Sequence, residues 1–323
     1  MRRAVFFIAG LLLALCAKSL IGHSATQSLL PGSQTIELDF QEQHRSYIVH
    51  LPPQAKSGKA LPLVLNFHGG GSNAVAEERY SGMDTTADRN GFIAVYPNGS
   101  GHFGRALTWN AGRCCAYAMR KNIDDVGFAR AVINDLATRT SIDRSRVYAT
   151  GMSNGAMMAY RLGAEASDLI AAIAPVEGAM VVDTKGPSRP VSLMAFNSTD
   201  DPFVPYDGGY GRMGGVAHGD LYPPVSYVLG QWRMFDDCPV ESRTDPEKKG
   251  APRSPDANNT ATRIVWAPCK MGTEVVLWKL SGSGHVWPGG TRGMTRLLGP
   301  STDLIDASEM MWEFFRRFSL LKK

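Results

Sequence analysis

The chain has 323 residues and a net charge of +4 at pH 7, with 44% hydrophobic and 20% charged residues. This length is sufficient for one large domain with a substantial core, and nothing in the composition requires a second domain. The arginines are scattered, with no basic stripe that has aromatic residues between the charges, so nucleic acid is not an expected partner.

The first residues are typical of a targeting segment. The basic start Met1-Arg2-Arg3 is followed by an almost wholly apolar stretch, residues 4–17, and by small residues near Ser24. A basic region, a short apolar core and small residues at its end predict a secretory signal peptide over residues 1–24. The apolar core is too short for a good membrane span, and no later segment is suited to cross a membrane. A secreted or periplasmic location is expected.

A second interpretation of the same segment is a lipoprotein signal. The run Leu13-Ala14-Leu15-Cys16 resembles a lipoprotein cleavage box. Leu15, directly before the cysteine, is too large for a good match. Lipid attachment therefore ranks second to secretion.

Beyond the leader, short apolar runs alternate with amphipathic stretches. Strands are predicted at 36–51, 63–67, 92–97, 146–150, 169–176, 191–196 and 274–280. Apolar faces predict helices over 128–136, 225–235 and 304–318, and Asp124 and Asp125 can cap the first of these helices. The alternation predicts an α/β fold with a mostly parallel sheet and helices on both faces, in a single domain over residues 25–323.

Two stretches lack a regular pattern, and a third is notably polar. Residues 98–122 and 207–224 are expected to be irregular, either as the rim of an active site or simply as surface loops. Residues 236–262 form the most polar stretch and are expected to be an exposed excursion.

The cysteines fit an exported protein. Without Cys16, the four that remain are Cys114, Cys115, Cys238 and Cys269. Four cysteines permit three pairings, and an oxidising compartment favours disulfides. A Cys238–Cys269 bridge that clamps the polar stretch is the preferred pair. Cys114 and Cys115 then bond to each other, or they cross-pair with the other two. A zinc site is the rival, but no Cys-x-x-Cys pattern or nearby histidine supports it.

The most informative motif is Gly151-Met152-Ser153-Asn154-Gly155, which lies between a predicted strand and a run of small residues. Composition alone produces this pattern roughly 0.26 times in such a chain, so a plain glycine-rich turn is a real alternative. A strand before it and a helix after it are typical of a nucleophile elbow. A Cβ in place of either glycine would clash with the neighbouring strand or helix. Ser153 is therefore the candidate nucleophile, and the N–H of Asn154 is a candidate oxyanion donor.

A glycine-rich loop upstream fits the same chemistry. His68-Gly69-Gly70-Gly71 follows the predicted strand at 63–67. Successive glycines allow the backbone to approach a substrate and to turn an N–H towards it. The N–H of Gly70 is expected to complete the oxyanion hole. We expect His68 to shape the loop through a backbone hydrogen bond and not to act as the base.

The candidate acid follows the strand at 191–196. Asp200 and Asp201 compete for the role, and Asp207 and Asp220 are weaker candidates. Asp201 precedes Pro202, and a residue before proline is held extended, which favours Asp201. Asp200 is expected to cap the turn.

The candidate base is His285, in a flexible loop after the strand at 274–280. It is the histidine that follows a strand in the chain order expected for serine, acid and histidine. Trp287 and Tyr206 lie beside the base and the acid in the sequence. They are expected either to line the acyl or leaving-group pocket or to pack in the core.

Several segments form a joint pattern that extends over nearly all of the chain after the leader. They are Leu65-Asn66-Phe67-His68-Gly69-Gly70-Gly71, Trp109-Asn110-Ala111-Gly112-Arg113-Cys114-Cys115, Asp124-Asp125-Val126-Gly127-Phe128, Gly151-Met152-Ser153-Asn154-Gly155, Thr199-Asp200-Asp201-Pro202-Phe203-Val204-Pro205-Tyr206 and Gly284-His285-Val286-Trp287-Pro288-Gly289-Gly290. This set resembles the polyhydroxybutyrate depolymerase family of secreted esterases, a group that also contains feruloyl and acetylxylan esterases.

The resemblance implies an α/β-hydrolase fold and a triad of Ser153, Asp201 and His285. It supports Asp201 over Asp200, since the acid of the family lies immediately before the Pro-x-Val-Pro segment. The chain departs from the pattern at Asn197-Ser198, where many relatives have His-Gly. The triad is unaffected, but the shape of the local loop is open.

The resulting hypothesis is a secreted serine esterase that hydrolyses carboxylic esters through an acyl-enzyme. Its candidate substrates are short-chain esters, feruloyl or acetyl esters of polysaccharides, and 3-hydroxybutyrate oligomers or polymer. No metal or organic cofactor is expected. Two alternatives are a serine peptidase or amidase on the same fold, and a non-catalytic envelope or glycan-binding protein. The second alternative would normally lack one member of the triad, whereas the sequence contains all three.

Overall fold

The computed structural model describes residues 29–213, 216–292 and 295–320. The predicted signal peptide and Cys16 lie outside the described residues. Within them, no helix has both the length and the apolar character that a membrane crossing needs.

Two sheets are present in the described part of the chain. The strands are β1 (Gly32–Phe40), β2 (Gln43–Leu51), β3 (Leu61–Phe67), β4 (Ile93–Pro97), β5 (Ile142–Met152), β6 (Ala172–Val176), β7 (Ser192–Ser198), β8 (Gly209–Met213), β9 (Val216–Tyr222), β10 (Arg243–Thr244), β11 (Lys248–Lys249), β12 (Thr260–Trp266) and β13 (Val275–Ser281). The main sheet has the order β1-β2-β4-β3-β5-β6-β7-β13-β12-β10, with β11 also paired to β12. Strands β8 and β9 form a separate hairpin.

The middle of the main sheet is parallel. Strands β4, β3, β5, β6, β7 and β13 pair in parallel, whereas β1, β2, β10, β11 and β12 add antiparallel pairs at the two edges. All residues of β3, β4, β6 and β7 are buried, as expected for strands covered on both faces. Because neighbouring parallel strands end at the same edge, the loops after β3, β5, β6, β7 and β13 lie side by side.

Helices cover both faces of the sheet. They are α1 (Ala74–Ser81), α2 (Met83–Asn90), α3 (Ala116–Arg120), α4 (Asp125–Arg139), α5 (Asn154–Glu165), α6 (Val225–Phe235), α7 (Thr295–Leu298) and α8 (Ala307–Phe315). One core cluster contains apolar side chains of α4, α5 and α6, and a second cluster contains those of α1, α2 and α8. The α/β fold with a mostly parallel sheet and helices on both faces is therefore confirmed.

Both stretches expected to be irregular contain regular structure, and residues 98–122 include the helix α3. Residues 207–224 include the β8–β9 hairpin, so the irregular assignment is wrong there. The polar excursion at 236–262 contains the short strands β10 and β11 and the start of β12, which pair along the sheet edge. Main-chain pairing organises these residues, although their side chains lack the alternation that identifies a strand.

The disulfides have the preferred pairing. Cys238 bonds to Cys269, and Cys114 bonds to Cys115. The first bridge joins the end of α6 to the loop before β13, and it closes the polar excursion at its base.

Removal of the Cys238–Cys269 bridge is expected to lower the free energy of unfolding. The bridge joins residues 31 apart in sequence, and loop-closure entropy for that separation corresponds to about 3–4 kcal/mol. Equilibrium urea unfolding of Cys238→Ser, Cys269→Ser and the double variant measures the effect. Because all three variants lose the same bond, the double variant is expected to match the singles. An unfolding midpoint equal to that of the parent protein would contradict the prediction.

Candidate active site

Ser153 lies at the sharp junction between β5 and α5. Its backbone has φ 57° and ψ −121°, in a region that side-chain-bearing residues rarely adopt. The Ser153 N–H donates to the carbonyl oxygen of Val176, 2.9 Å away. Ser153 remains partly exposed, whereas the residues on either side of it are buried. The strained turn thus presents one hydroxyl at the sheet edge.

The two glycines of the motif are required by the approach of β3. A Cβ at Gly155 would overlap the carbonyl oxygen of Phe67, and a Cβ at Gly151 would overlap the same oxygen. The expected clash is therefore with the end of the neighbouring strand. Gly151 would also meet the backbone of Gly155, with 2.7 Å between the added Cβ and the carbonyl carbon.

The glycine-rich loop after β3 lies against the elbow. A Cβ at Gly70 would lie 3.5 Å from Asn154 Cβ, so the two backbone segments are adjacent. Asn154 is the first residue of α5, where a backbone N–H has no partner within the helix. The structure therefore brings together the two residues from which an oxyanion hole was predicted.

His68 holds this loop through backbone contacts. Its Nδ1 lies 2.7 Å from the Gly69 carbonyl oxygen, and its Nε2 accepts the Gly99 N–H at 3.0 Å. This pattern fits the neutral ring with the proton on Nδ1. Burial lowers the pKa of His68 to about 4, so the ring is uncharged at neutral pH. The structural role expected for His68 is therefore present.

The Asn154 side chain is fixed by the segment that contains the vicinal disulfide. Its Oδ1 accepts the Trp109 N–H at 2.7 Å, and its Nδ2 donates to the Trp109 carbonyl at 3.1 Å. The Trp109 indole N–H donates to the His68 carbonyl oxygen at 3.0 Å. Trp109 therefore connects the two loops that carry the candidate oxyanion donors.

Asp125 binds the backbone of the segment that contains Trp109 and does not cap α4 as predicted. It is fully buried, and its carboxylate accepts the Asn110 N–H at 2.8 Å and a guanidinium N–H of Arg45 at 3.0 Å. The helix cap is Asp124, which accepts the Gly127 N–H at 2.8 Å. Capping by Asp124 is confirmed, whereas capping by Asp125 is wrong because its side chain points into the core.

Asp201 and His285 form a buried pair beyond β7 and β13. His285 Nδ1 lies 2.7 Å from Asp201 Oδ2, and the residues are 3% and 5% exposed. The other oxygen, Asp201 Oδ1, accepts the N–H groups of Phe203 at 2.7 Å and Val204 at 3.1 Å. Three donors thus orient one carboxylate towards the imidazole.

The other acids and histidines lie elsewhere. Asp200 is exposed, and its Oδ2 accepts the Gly282 N–H at 2.8 Å, which fits the turn-capping role expected for it. His44 is exposed beside Asp39, and His50 contacts Asp88. The side chains of Asp220 and His218 are not described. Within residues 29–213, 216–292 and 295–320, no group of three or more His, Cys, Asp or Glu side chains is arranged to hold a metal ion.

The hydrogen bonds of the described residues include none from Ser153 Oγ. His285, the predicted base, follows a strand that ends at the same edge as β5. Catalytic hydrogen bonds to a nucleophile often tighten only when substrate is bound.

The aromatic side chains near the pair have different surroundings. Trp287 is 1% exposed, and its indole N–H donates to Ser308 Oγ at 3.2 Å, a placement that favours packing over substrate contact. Tyr206 is partly exposed, with the Lys279 ammonium 5.6 Å from its ring centroid. Phe203, which sequence reasoning did not single out, lies with its ring centroid 5.0 Å from that of His285. Its position two residues after the candidate acid was the available signal.

Asn197-Ser198, where the sequence departs from the family pattern, binds neighbouring loops together. Asn197 Nδ2 donates to the Gly178 carbonyl at 3.3 Å, and Ser198 Oγ donates to the Ser283 carbonyl at 2.6 Å. The Asp200 N–H donates to Ser198 Oγ at 3.2 Å. These side chains give the acid loop, the loop after β7 that carries Asp201, contacts that a glycine at 198 could not provide.

The fold and the serine elbow define an α/β-hydrolase, and comparison with known proteins identifies its family. A family model described as Esterase PHB depolymerase matches residues 45–216, just over half of the chain. The chain belongs to this family, and it is a carboxylic ester hydrolase.

Named relatives agree with this assignment. NocK, a protein of Nocardia uniformis subsp. tsuyamanensis that is named as an esterase, is 30% identical over 76% of the chain and 72% of its own length. Feruloyl esterase B of Piromyces equi is 29% identical over 85% of the chain, which spans 46% of that protein. The bifunctional acetylxylan esterase/xylanase XynS20E of Neocallimastix patriciarum is 26% identical over 76% of the chain, which spans 32% of that protein.

A solved structure supports the fold. An acetyl xylan esterase from Aspergillus awamori superposes with a TM-score of 0.52 at 15% identity, over 78% of this chain and 94% of that one. At this level of identity, the similarity concerns the fold alone.

Gly155→Ala is expected to destabilise the protein, since the added methyl group overlaps the Phe67 carbonyl oxygen. Overpacking of this kind costs about 1–3 kcal/mol or more. The matched control is Gly230→Ala in α6, where an added Cβ meets nothing within 4 Å. Alanine in a helix interior is there expected to stabilise by about 0.5–1 kcal/mol. Urea unfolding of both variants checks the contrast, and equal effects would contradict it.

Proposed function

We propose that the chain is a serine esterase with Ser153 as nucleophile, His285 as general base and acid, and Asp201 as the residue that orients His285. The observation that carries the proposal is the buried 2.7 Å contact between His285 and Asp201 at the sheet edge where the strained Ser153 turn lies. Asp201 accepts from Nδ1, which leaves Nε2 of His285 for the serine hydroxyl.

In this mechanism, Ser153 Oγ attacks the ester carbonyl carbon while His285 takes its proton. Collapse of the tetrahedral intermediate expels the alcohol, which receives the proton from His285. Water then attacks the acyl-enzyme, again with His285 as base, and releases the acid and free Ser153. Asp201 holds the tautomer and stabilises the imidazolium.

The backbone N–H groups of Gly70 and Asn154 are proposed as the oxyanion hole. Each such donor lowers the barrier by about 3–4 kcal/mol, provided that it is fixed before reaction. The double hydrogen bond between Asn154 and the Trp109 backbone supports such fixation.

For the substrate, we propose an ester with a short acyl group, a feruloyl or acetyl ester of a polysaccharide, or a 3-hydroxybutyrate oligomer or polymer. The partly exposed Phe203 ring beside His285 provides an apolar wall next to the reacting atoms. Tyr206, five residues after the acid and partly exposed, is a second candidate wall.

Ser153→Ala is expected to lower kcat by about 10⁶-fold, because the covalent intermediate cannot form. Asp201→Asn is expected to lower it by about 10⁴-fold, because the amide favours the wrong histidine tautomer. Hydrolysis of 4-nitrophenyl butyrate, methyl ferulate, acetylated xylan and 3-hydroxybutyrate oligomers measures both effects and identifies the preferred ester.

Asp200→Asn is the matched control for Asp201→Asn, because Asp200 is the adjacent residue and accepts only loop donors, the Gly282 N–H and the Thr199 hydroxyl. Its kcat should remain close to that of the parent protein. A fluorophosphonate probe should label the parent and not Ser153→Ala. Full turnover by Ser153→Ala would contradict the assignment of Ser153 as the nucleophile.

We also propose that the protein is exported with residues 1–24 removed. The basic and apolar start of the chain motivates this proposal, and the two disulfides fit an oxidising compartment. The intact mass of protein recovered from the producing cells should correspond to a chain that begins close to residue 25. A mass that includes residues 1–24 would refute processing, and a lipid-bearing mass that begins at Cys16 would favour the lipoprotein alternative.

A further inference from the structure

Glu177 is a buried acid that the mechanism above does not use. It is the first residue after β6 and is 0% exposed. Its φ is 47°, in the left-handed region that non-glycine residues rarely occupy. A charged residue type in a strained and fully enclosed position indicates a specific role.

The contacts of Glu177 lead to the acid loop. Its backbone N–H donates to the Phe196 carbonyl at 2.8 Å. Its carboxyl oxygens accept the Ser198 N–H at 3.0 and 3.1 Å. The Asp201 N–H donates to the carbonyl oxygen of the same Ser198 at 3.4 Å, and the Asp201 carboxyl acts on the Glu177 carboxyl through its charge and a hydrogen bond. Two buried carboxyl groups are therefore neighbours, with Glu177 0% and Asp201 5% exposed.

The charged forms of two adjacent buried carboxyls disfavour each other, because like charges repel strongly in the interior. Asp201 has the Phe203 and Val204 N–H groups and His285 as donors. Glu177 has a single backbone donor, the Ser198 N–H. Glu177 has fewer donors to stabilise its ionised form, so it is the carboxyl that favours the protonated form.

The surroundings of Glu177 contain acids and no described cation that acts on it. Asp201 faces it from the acid loop, and Tyr80 faces it from α1. Glu77, also on α1, interacts with Tyr80. Burial is the main reason that the pKa of Glu177 lies well above its ordinary value, and the charge of Asp201 raises it further.

We propose that Glu177 is a positioning residue whose neutral carboxyl group donates a hydrogen bond to the Asp201 carboxylate and holds it ionised and directed at His285. The proposal rests on the proposed serine mechanism and adds Glu177 as a residue that supports the acid, Asp201. If Glu177 loses its proton, Asp201 loses this donor and meets a second negative charge. The repulsion displaces the Asp201 carboxylate from His285 Nδ1, and His285 loses its orientation.

Glu177→Gln and Glu177→Met separate this role from simple packing. The glutamine amide can donate to Asp201 while its carbonyl oxygen accepts from Ser198, whereas methionine fills similar space without a donor. We expect Glu177→Gln to keep the parent kcat for 4-nitrophenyl butyrate at neutral pH. We expect Glu177→Met to lose about 10- to 100-fold in kcat with little change in KM, as for a lost hydrogen bond to a charged group.

The pH profile gives a readout that a packing role would not change. In the parent protein, kcat should fall as the pH rises through the folded-state pKa of Glu177. That alkaline limb should be absent from Glu177→Gln. The infrared band of a protonated carboxyl at neutral pH should lose intensity in the same variant.

The pH dependence of the free energy of unfolding checks independently whether folded Glu177 is protonated. Unfolded Glu177 ionises at its ordinary pKa, while the folded residue keeps its proton. The folded state thus binds more protons between the two pKa values, and stability falls as the pH rises. The free energy of unfolding of Glu177→Gln should therefore increase relative to the parent as the pH rises above 4.5, the ordinary value for Glu.

Glu77→Gln is the matched control. Glu77 is 2% exposed and burial raises its pKa to about 8, but Asp201 is not among the groups that act on it. This variant should keep the parent kcat and its alkaline limb.

Equal kcat for Glu177→Met and the parent, or an unchanged alkaline limb in Glu177→Gln, would overturn the proposal. An equal loss of kcat in both Glu177 variants would also overturn it, since glutamine keeps a donor to Asp201 and methionine does not. These outcomes leave Ser153→Ala inactive and thus concern Glu177 alone. Retained turnover by Ser153→Ala would instead refute the serine mechanism itself.

Discussion

The contact of the elbow with the end of β3 is the constraint on which the rest of the site depends. The Phe67 carbonyl oxygen occupies the space that a Cβ at Gly151 or Gly155 would need. This approach places the loop after β3 directly beside the first turn of α5. Ser153 and the two candidate oxyanion donors are thus defined by main-chain packing, and side chains such as Trp109 secure an arrangement that the backbone already imposes.

Ionised carboxyl groups in the interior of this protein carry a free-energy cost of desolvation. The Asp201 carboxyl accepts two backbone N–H groups and contacts the His285 imidazole, and the Asp125 carboxyl accepts from Arg45 and a backbone N–H. Glu177 accepts from the Ser198 N–H, and burial raises the pKa values of Asp125, Glu77 and Glu177. Burial thus opposes the ionisation of these three acids, and donors that converge on a carboxyl reduce that cost.

Sequence patterns identified the parts of this protein whose signal is local. Buried strands, the glycines of the elbow and the order of serine, acid and histidine are visible in short segments, and the structure brings Asp201 and His285 into contact. Features that depend on pairing across the chain were not visible. The β8–β9 hairpin lies in a stretch without alternation, and the buried roles of Asp125 and Glu177 depend on distant partners. The placement of Phe203 beside His285 became visible only from the distance between their rings.

Three contacts join the loop that carries Asp201 to the loop that carries His285. Ser198 Oγ bonds to the Ser283 carbonyl, Asp200 accepts the Gly282 N–H, and Asp201 contacts His285. The two loops are therefore fixed to each other and to β7 and β13, while the Ser153 turn is attached to β5. In the proposed mechanism, the serine hydroxyl and the imidazole then approach by movement between β5 and this pair of loops, and the spacing of Asp201 and His285 is preserved during turnover.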